Sequence, residues 1–400
     1  MKITYLHQYF NTPQMSGGTR SFEFARRLVA KGHAVNMVTS WREDDGQKEW
    51  FTTDEEGIKV HWLPIPYSNH MGYKERIEAF FKFAWQSARK AAMLPGDVVF
   101  ATSTPLTIVL PGVYAARRQS VPMVFEVRDL WPELPIAIGA LNNPILKWLA
   151  KRLEHFAYTN AHSIVALSPG MYNGIVSTGY PAERISIIPN SSDLDRFFPD
   201  AVAGKCFRAR HGIPQNSILI SYIGTFGKIN GVGYFIKLAQ KFKNDPRVYF
   251  LTVGDGAEFS QVEALADQSG CLGHNLQMLP KLPKIEIGKV LAATNIAIST
   301  VIPLKELEAN SANKFFDGLA AGCCMLINYG GWQADLLASS GAGLRLSNEI
   351  EPAADQLRQL LKSPEIIAKA GRHARKLAEE QFSRDKLAEK LEQVLLQACQ

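Results

Sequence analysis

The sequence predicts an α/β protein built of two doubly wound, mainly parallel sheets. In both halves of the 400 residues, short β-branched runs alternate with segments of helical period, the pattern of βαβ units. Between the halves, Pro189-Asn190-Ser191-Ser192-Asp193-Leu194-Asp195-Arg196-Phe197-Phe198-Pro199 gathers turn formers and prolines and reads as a hinge. The length also exceeds what one hydrophobic core ordinarily organises.

In the first half, strands are expected at residues 3–6, 98–100, 123–127, 164–166 and 185–188. After the first comes Ser16-Gly17-Gly18-Thr19-Arg20, then Phe22, Ala25, Leu28 and Val29 at helical spacing, with Gly32 as a stop. A Gly-Gly pair at a helix start lets a ligand approach bare backbone amides. The second half repeats the rhythm at 218–223, 248–253, 276–279, 296–299, 325–328 and 343–346. Its first strand runs into Gly224-Thr225-Phe226-Gly227-Lys228-Ile229-Asn230-Gly231, which opens a helix near Val232. That loop suits either a diphosphate or close helix-to-strand packing. The stretch 384–397 carries Leu387, Leu391, Val394 and Leu395 on one face and reads as a closing helix.

The most informative segment follows the short buried strand at 295–300. There a polar loop, Lys305-Glu306-Leu307-Glu308-Ala309-Asn310-Ser311-Ala312, enters an amphipathic helix at Asn313-Lys314-Phe315-Phe316-Asp317. The first helical N–H groups lack intrahelical partners and the macrodipole is positive there, so the junction suits a phosphate, with Lys314 adding a full charge. It also falls at the carboxyl end of a parallel sheet, where open α/β folds bind ligands. An ordinary capped βα connection uses similar residues.

Several chemistries lose support. No complete GxGxxG or GxxxxGK[ST] occurs, and the nine histidines form no HExxH or compact cluster. Asp193-Leu194-Asp195 has the DxD pattern of a paired-carboxylate metal site, but its place in the hinge favours a structural role, so no metal is expected. His7 reads as a structural histidine. The composition, 46% hydrophobic and 20% charged, is that of a soluble globular protein. Cys206, Cys271, Cys323, Cys324 and Cys399 are odd in number and without CxxC spacing, which fits a reducing compartment. The opening residues turn polar too soon for a secretory signal and no run of eighteen apolar residues follows, so a cytoplasmic protein is expected. The net charge of +6 divides as +2 over residues 1–200 (21 basic, 19 acidic) and +4 over 201–400 (23 basic, 19 acidic). Neither half has the dense basic stripe of a nucleic-acid binder.

Taken in order, Gly17-Gly18, Ile188-Pro189-Asn190-Ser191-Ser192-Asp193, Gly224 with Gly231, Gly254-Asp255-Gly256 and Asp317-Gly318-Leu319-Ala320-Ala321-Gly322 resemble the retaining GT-B glycosyltransferases of family four, over nearly the whole chain. Val127-Arg128-Asp129-Leu130-Trp131-Pro132-Glu133 and Asn313-Lys314-Phe315-Phe316-Asp317 look like the branch that builds bacterial surface polysaccharides, which includes N-acetyl-L-fucosamine transferases. The resemblance implies two Rossmann-like domains facing a central cleft: an acceptor domain at 1–190, a donor domain at 200–380, and a closing helix at 381–400. It implies a nucleoside-diphosphate sugar such as a UDP-sugar, an acceptor hydroxyl, retained configuration and no cofactor. By the family's motif, Asp317 binds ribose hydroxyls, the backbone of Ser311, Ala312 and Asn313 meets sugar and diphosphate, Gly18 offers its N–H to the β-phosphate, and residues 280–282 read the base.

Three departures accompany the resemblance. The family's acid eight residues before Asp317 is Ala309 here, with Glu308 one step out of register. The phosphate-binding Arg and Lys of the second glycine loop are Thr225 and Asn230, which leaves Lys228, Lys314 and Arg20 as candidate replacements. The strand-end histidine is Arg128, whose fork suits a phosphate or carboxylate unless Asp129 or Glu133 occupies it. Arg128, Lys228 and Lys314 are therefore the expected catalytic cations. In the first half, Ile77, Phe80, Phe81, Ala84 and Ala88 form one helical stripe with Phe83 outside it, and Lys74, Lys82, Arg89 and Lys90 lie on other faces. With the basic, aromatic stretch 147–152, this suits either a core helix or peripheral contact with an anionic membrane, and the branch resemblance implies a polyprenyl-linked or growing glycan acceptor. The rival readings are a nucleotide-sugar epimerase of the same architecture and a nucleotide-sugar binder without catalysis.

Overall fold

The structure, a computed structural model, describes residues 1–15, 17–66 and 71–400. The chain forms two compact units, Met1–Pro189 with Asp385–Gln400, and Asn190–Arg384.

The first unit contains strands β1 (Lys2–Leu6), β2 (Ala34–Trp41), β3 (Phe51–Glu55), β4 (Ile58–Pro64), β5 (Val98–Thr102), β6 (Met123–Val127), β7 (Ser163–Ala166) and β8 (Ile185–Ile187). They form one sheet in the order β3-β4-β2-β1-β5-β6-β7-β8, parallel throughout except for the β3–β4 hairpin. Helices α1 (Arg20–Ala30), α2 (Tyr73–Met93), α3 (Val109–Gln119), α4 (Glu133–Ala137), α5 (Pro144–Asn160) and α6 (Pro169–Ser177) supply the connections. Strands β2 to β4 escape the sequence reading for a physical reason. Asn36, Thr39 and Ser40 interrupt the apolar run of β2, β3 is a half-exposed edge, and Pro64 ends β4. Glu56 and Gly57, both at positive φ, turn the hairpin.

The second unit contains α7 (Ala201–Arg210), β9 (Ile218–Ile223), α8 (Gly233–Gln240), β10 (Val248–Val253), α9 (Phe259–Gln268), β11 (Leu276–Leu279), α10 (Lys284–Ala293), β12 (Ile296–Ser299), α11 (Asn313–Ala320), β13 (Cys324–Ile327), α12 (Trp332–Ser340), β14 (Gly343–Arg345), α13 (Ile350–Leu361) and α14 (Pro364–Gln381). Its six strands are all parallel, in the order β11-β10-β9-β12-β13-β14. This is the doubly wound order, whose reversal between β9 and β12 opens a crevice at the carboxyl ends of those two strands.

Helix α15 (Arg384–Ala398) carries the chain end back to the first unit. Leu387, Leu391 and Leu395 are buried there with Ile3, Tyr5, Phe24 and Phe100. Arg27 bonds Asp385 at 2.5 Å, while Lys31 and His33 hold Glu392 at 2.6 and 2.7 Å, which fixes the register of the helix. Leu391 is fully buried, so Leu391→Ala should cost about 3 kcal/mol, the range of a large-to-small core change. Hydrogen exchange should show the loss in the strands of the first unit and leave β9 to β14 protected.

Candidate active site

At the carboxyl end of β9 the chain turns through Gly224 to Gly231. The loop is held by backbone from two neighbouring segments, the end of β10 and the stretch after β12. Gly224 N–H donates to Val253 O at 2.9 Å, Phe226 N–H to Asp255 O at 2.9 Å, and Ile302 N–H to Ile229 O at 3.0 Å. A side chain on Gly254 would stand 1.9 Å from the Gly224 carbonyl oxygen, and one on Gly256 2.5 Å from that of Phe226. The Gly254-Asp255-Gly256 pair therefore serves close loop-on-loop packing. Gly231, at φ 56°, closes the loop in the left-handed region.

Lys314, in the first turn of α11, reaches back onto this loop. Its Nζ donates to Tyr222 Oη at 3.1 Å and Asn230 Oδ1 at 3.0 Å, and lies 4.6 Å from the centre of the Tyr222 ring. Tyr222 Oη in turn donates to Thr225 O at 2.8 Å. A Cβ on Gly224 would meet Lys314 Cε at 3.0 Å, so the ammonium lies against bare glycine backbone. Among the described residues no carboxylate stands within 4.0 Å of it. Burial without a counter-ion pulls its pKa down to about 7.

Helix α11 begins at Asn313 with Ala312 as an N-cap that has no side-chain cap, so the amides of Asn313 and Lys314 stay available, while Phe315 N–H donates to Ala312 O at 3.1 Å. Ala312 N–H is taken by Asn310 Oδ1 at 3.2 Å. Ser311 is tied to Asn190, whose backbone N–H donates to Ser311 Oγ at 3.0 Å and whose side-chain amide donates to Ser311 O. Asp317, one turn further in, accepts from Ser192 Oγ at 2.9 Å, and burial raises its pKa while Lys284 and Arg384 oppose the rise. Glu308 packs against Gly330 and Gly331, with its backbone oxygen 2.5 Å from where a Gly331 side chain would begin. Lys228 and Thr225 are exposed on the glycine loop.

One expectation is corrected. Arg20 is not a free phosphate cation. Its guanidinium, 1% exposed as a residue, donates to Glu126 on β6 at 2.8 and 3.1 Å and to the carbonyls of Ile188 and Pro189 at 2.8 and 2.6 Å. The Arg20 charge, with Thr102 Oγ1, also holds the buried Glu126 carboxyl below the usual range against desolvation. Asp193 is buried and paired with Arg384 at 2.8 Å and Lys284 at 3.5 Å, while Asp195 is exposed.

In the first unit, Gly17 (φ 123°) leaves room for Asn11, whose Nδ2 would lie 2.7 Å from a side chain there and donates to Gly18 O at 3.2 Å. Ser16 lies outside the described residues. At the carboxyl end of β6, Arg128 bonds neither Asp129 nor Glu133. Its Nη1 donates to Nε2 of His7, at the end of β1, at 3.2 Å. Burial, then the charges of Arg128 and Arg42, hold His7 well below the usual imidazole range, so it is neutral and carries its proton on Nδ1. Burial pushes neighbouring Asp129 up to about 6. Sequence reasoning missed Tyr222 and did not pair His7 with Arg128. Strand ends adjacent in the sheet were the only signal that could have found them.

Residues 17–191 match the glycosyl transferase 4-like domain family, and residues 205–377 match the glycosyl transferases group 1 family. The chain is a GT-B glycosyltransferase of this group. The colanic acid biosynthesis glycosyl transferase WcaI of Escherichia coli is 25% identical over 291 residues, 67% of this chain and 69% of that protein. Among solved structures, sucrose-phosphate synthase of Thermosynechococcus elongatus superposes with a TM-score of 0.78 at 15% identity, covering 99% of this chain and 98% of that one. HepE of Anabaena, in complex with UDP-glucose, superposes with a TM-score of 0.72 at 17% identity, covering 99% and 100%. In this glycosyltransferase the second unit thus carries an anion-ready edge, and the first carries Arg128 on a neutral histidine.

The two arginines should respond differently to substitution. Arg20→Gln leaves Glu126 buried without its charge partner and should cost about 3–5 kcal/mol in denaturant unfolding, with the m-value unchanged. Arg128→Gln, at a partly exposed side chain whose hydrogen bond goes to the neutral His7, should cost less than about 1 kcal/mol in the same measurement.

Proposed function

We propose that this glycosyltransferase is a retaining, metal-independent enzyme that moves a sugar from a UDP-sugar to a growing or lipid-linked glycan during bacterial surface-polysaccharide assembly. The transferred sugar is read as an N-acetylated deoxy-amino sugar or related hexosamine. One observation carries the proposal: Lys314 stands without a carboxylate between the Gly224 loop and the uncapped start of α11. A nucleoside diphosphate supplies the counter-ion that this ammonium lacks. Support for donor and pathway comes from the UDP-glucose bound to HepE and from the role in WcaI's name.

Transfer breaks the bond between the anomeric carbon and the donor phosphate oxygen while the acceptor hydroxyl oxygen bonds that carbon from the same face. Negative charge gathers on the departing diphosphate, which takes the acceptor proton. Stabilising that charge is the largest task of the site. Lys314 and the first amides of α11 perform it, with exposed Lys228 and the Gly224 loop beside them. Asp317 binds the ribose, and no protein nucleophile is used. Arg128 keeps N–H donors for a phosphate or carboxylate of the substrate, positioned by His7.

In a thermal-shift screen without metal, UDP should raise the melting temperature more than GDP, dTDP or ADP, by several degrees at about 100 times Kd. Lys314→Ala should abolish most of that shift. Its absence with all four nucleotides in folded protein would overturn the donor site, and a bound nucleotide sugar that is neither transferred nor hydrolysed would reduce the chain to a binder.

The lowered lysine adds a pH dependence. Free Lys314 is charged only below about 7, so above that pH binding of the anion must take up a proton. UDP affinity should fall by up to about tenfold per pH unit between pH 7 and 9. Calorimetry in two buffers of different ionisation enthalpy should show the uptake, and Lys314→Gln should remove it.

A further inference from the structure

Helix α2 buries Ala79, Phe83, Ala84, Ser87 and Ala91 against the first unit, so Phe83 belongs to the packed face and the stripe expected from spacing is rotated. The opposite face leaves Phe81 56% and Trp85 69% exposed beside exposed Lys82 and Arg89, with the Arg89 guanidinium 5.4 Å from the Trp85 ring centre. Helix α5 shows the same chemistry more densely. Ile145, Leu146, Trp148 and Leu149 are 66, 42, 60 and 50% exposed, and Arg152 lies 5.7 Å from the Trp148 ring centre. Its residues 144–153 include Lys147, Lys151 and Arg152 and no acid. Both helices pack on α3, whose Tyr114 is itself 45% exposed, so the patches belong to one side of the first unit. Because α5 follows β6, its exposed first turns begin at the sheet edge that carries Arg128.

A merely solvated helix face does not gather four large apolar side chains in five residues. A protein interface would be depleted in lysine at its centre, whereas here each tryptophan is flanked by cations whose stems lie along apolar surface. Among the described residues no helix is long and apolar enough to cross a bilayer. We propose that this side of the first unit is a docking surface for an anionic lipid bilayer. Trp85, Trp148 and Leu149 enter the headgroup boundary, while Arg89, Lys147 and Lys151 meet lipid phosphates. The surface deepens the reading of a lipid-linked acceptor and rests on that reading for its purpose, although vesicle binding tests it separately from the donor site.

The test is co-sedimentation of the full chain with vesicles of phosphatidylcholine alone or with roughly 30 mol % phosphatidylglycerol. Binding at least about tenfold tighter to the anionic vesicles is expected. Both Trp85→Ser/Trp148→Ser and Lys147→Gln/Lys151→Gln should weaken it about tenfold, while melting temperature and nucleotide-induced shift stay unchanged. A control, Lys243→Gln/Lys362→Gln in a basic hollow of the second unit, should have no effect. No preference for anionic vesicles would overturn the surface. So would a preference that the tryptophan variant leaves intact, an equal loss in the control, or a dimer in light scattering that the tryptophan variant dissolves. If nucleotide binding fails while vesicle binding behaves as expected, the donor site is wrong and the surface stands.

Discussion

Parallel pairing is the constraint on which the rest depends. A chain that leaves one strand and returns to run alongside it in the same direction must cross over, and each crossover helix starts at the carboxyl edge of its sheet. Both sheets are parallel but for one edge hairpin. Each therefore collects its free helix amides, glycine turns and strand-end side chains on a single edge. That is why Lys314 at the start of α11 can reach Tyr222 on β9 and Asn230 on the following loop, although they lie 92 and 84 residues away in sequence. It is also why Arg128 after β6 meets His7 after β1, across 121 residues.

What a cation does at such an edge depends on whether a carboxylate waits for it. Arg20, Arg384 and Lys284 each find one, at Glu126 or Asp193, and are absorbed into the framework. Among the described residues Lys314 finds a phenol and an amide but no carboxylate, so its charge is costly there. The charges that brace the fold and the charge that reads as a ligand contact are alike in type and differ in partner. The same applies to the glycines. Gly254 and Gly256 serve backbone approach, while Gly224 leaves space that the lysine side chain occupies.

The outer face of the first unit follows from helix orientation. Fully buried Phe83 sets the rotation of α2, and that rotation turns Phe81 and Trp85 outward. On α5, the inner face is made by Glu154, Ala157 and Tyr158 in the later turns, so the first turns lie outside the core and keep their apolar residues exposed.

Features that depend on local order could be read from the residues alone. Period and turn chemistry identified two βαβ halves, the second-unit strands at 218–223, 248–253, 276–279 and 296–299, the glycine loops and the helix start at Asn313, because hydrophobic alternation and helix-end chemistry act over a few residues. Tertiary structure alone decided the rest. Polar interruptions hid β2, an exposed edge hid β3, and partner choice across more than a hundred residues buried Arg20 on Glu126 and set Arg128 on His7. The final helix shows the division well. Leu387, Leu391 and Leu395 announced an apolar face, but a face does not name its partner, and only packing against Ile3, Tyr5 and Phe100 assigned the chain end to the unit where the chain begins.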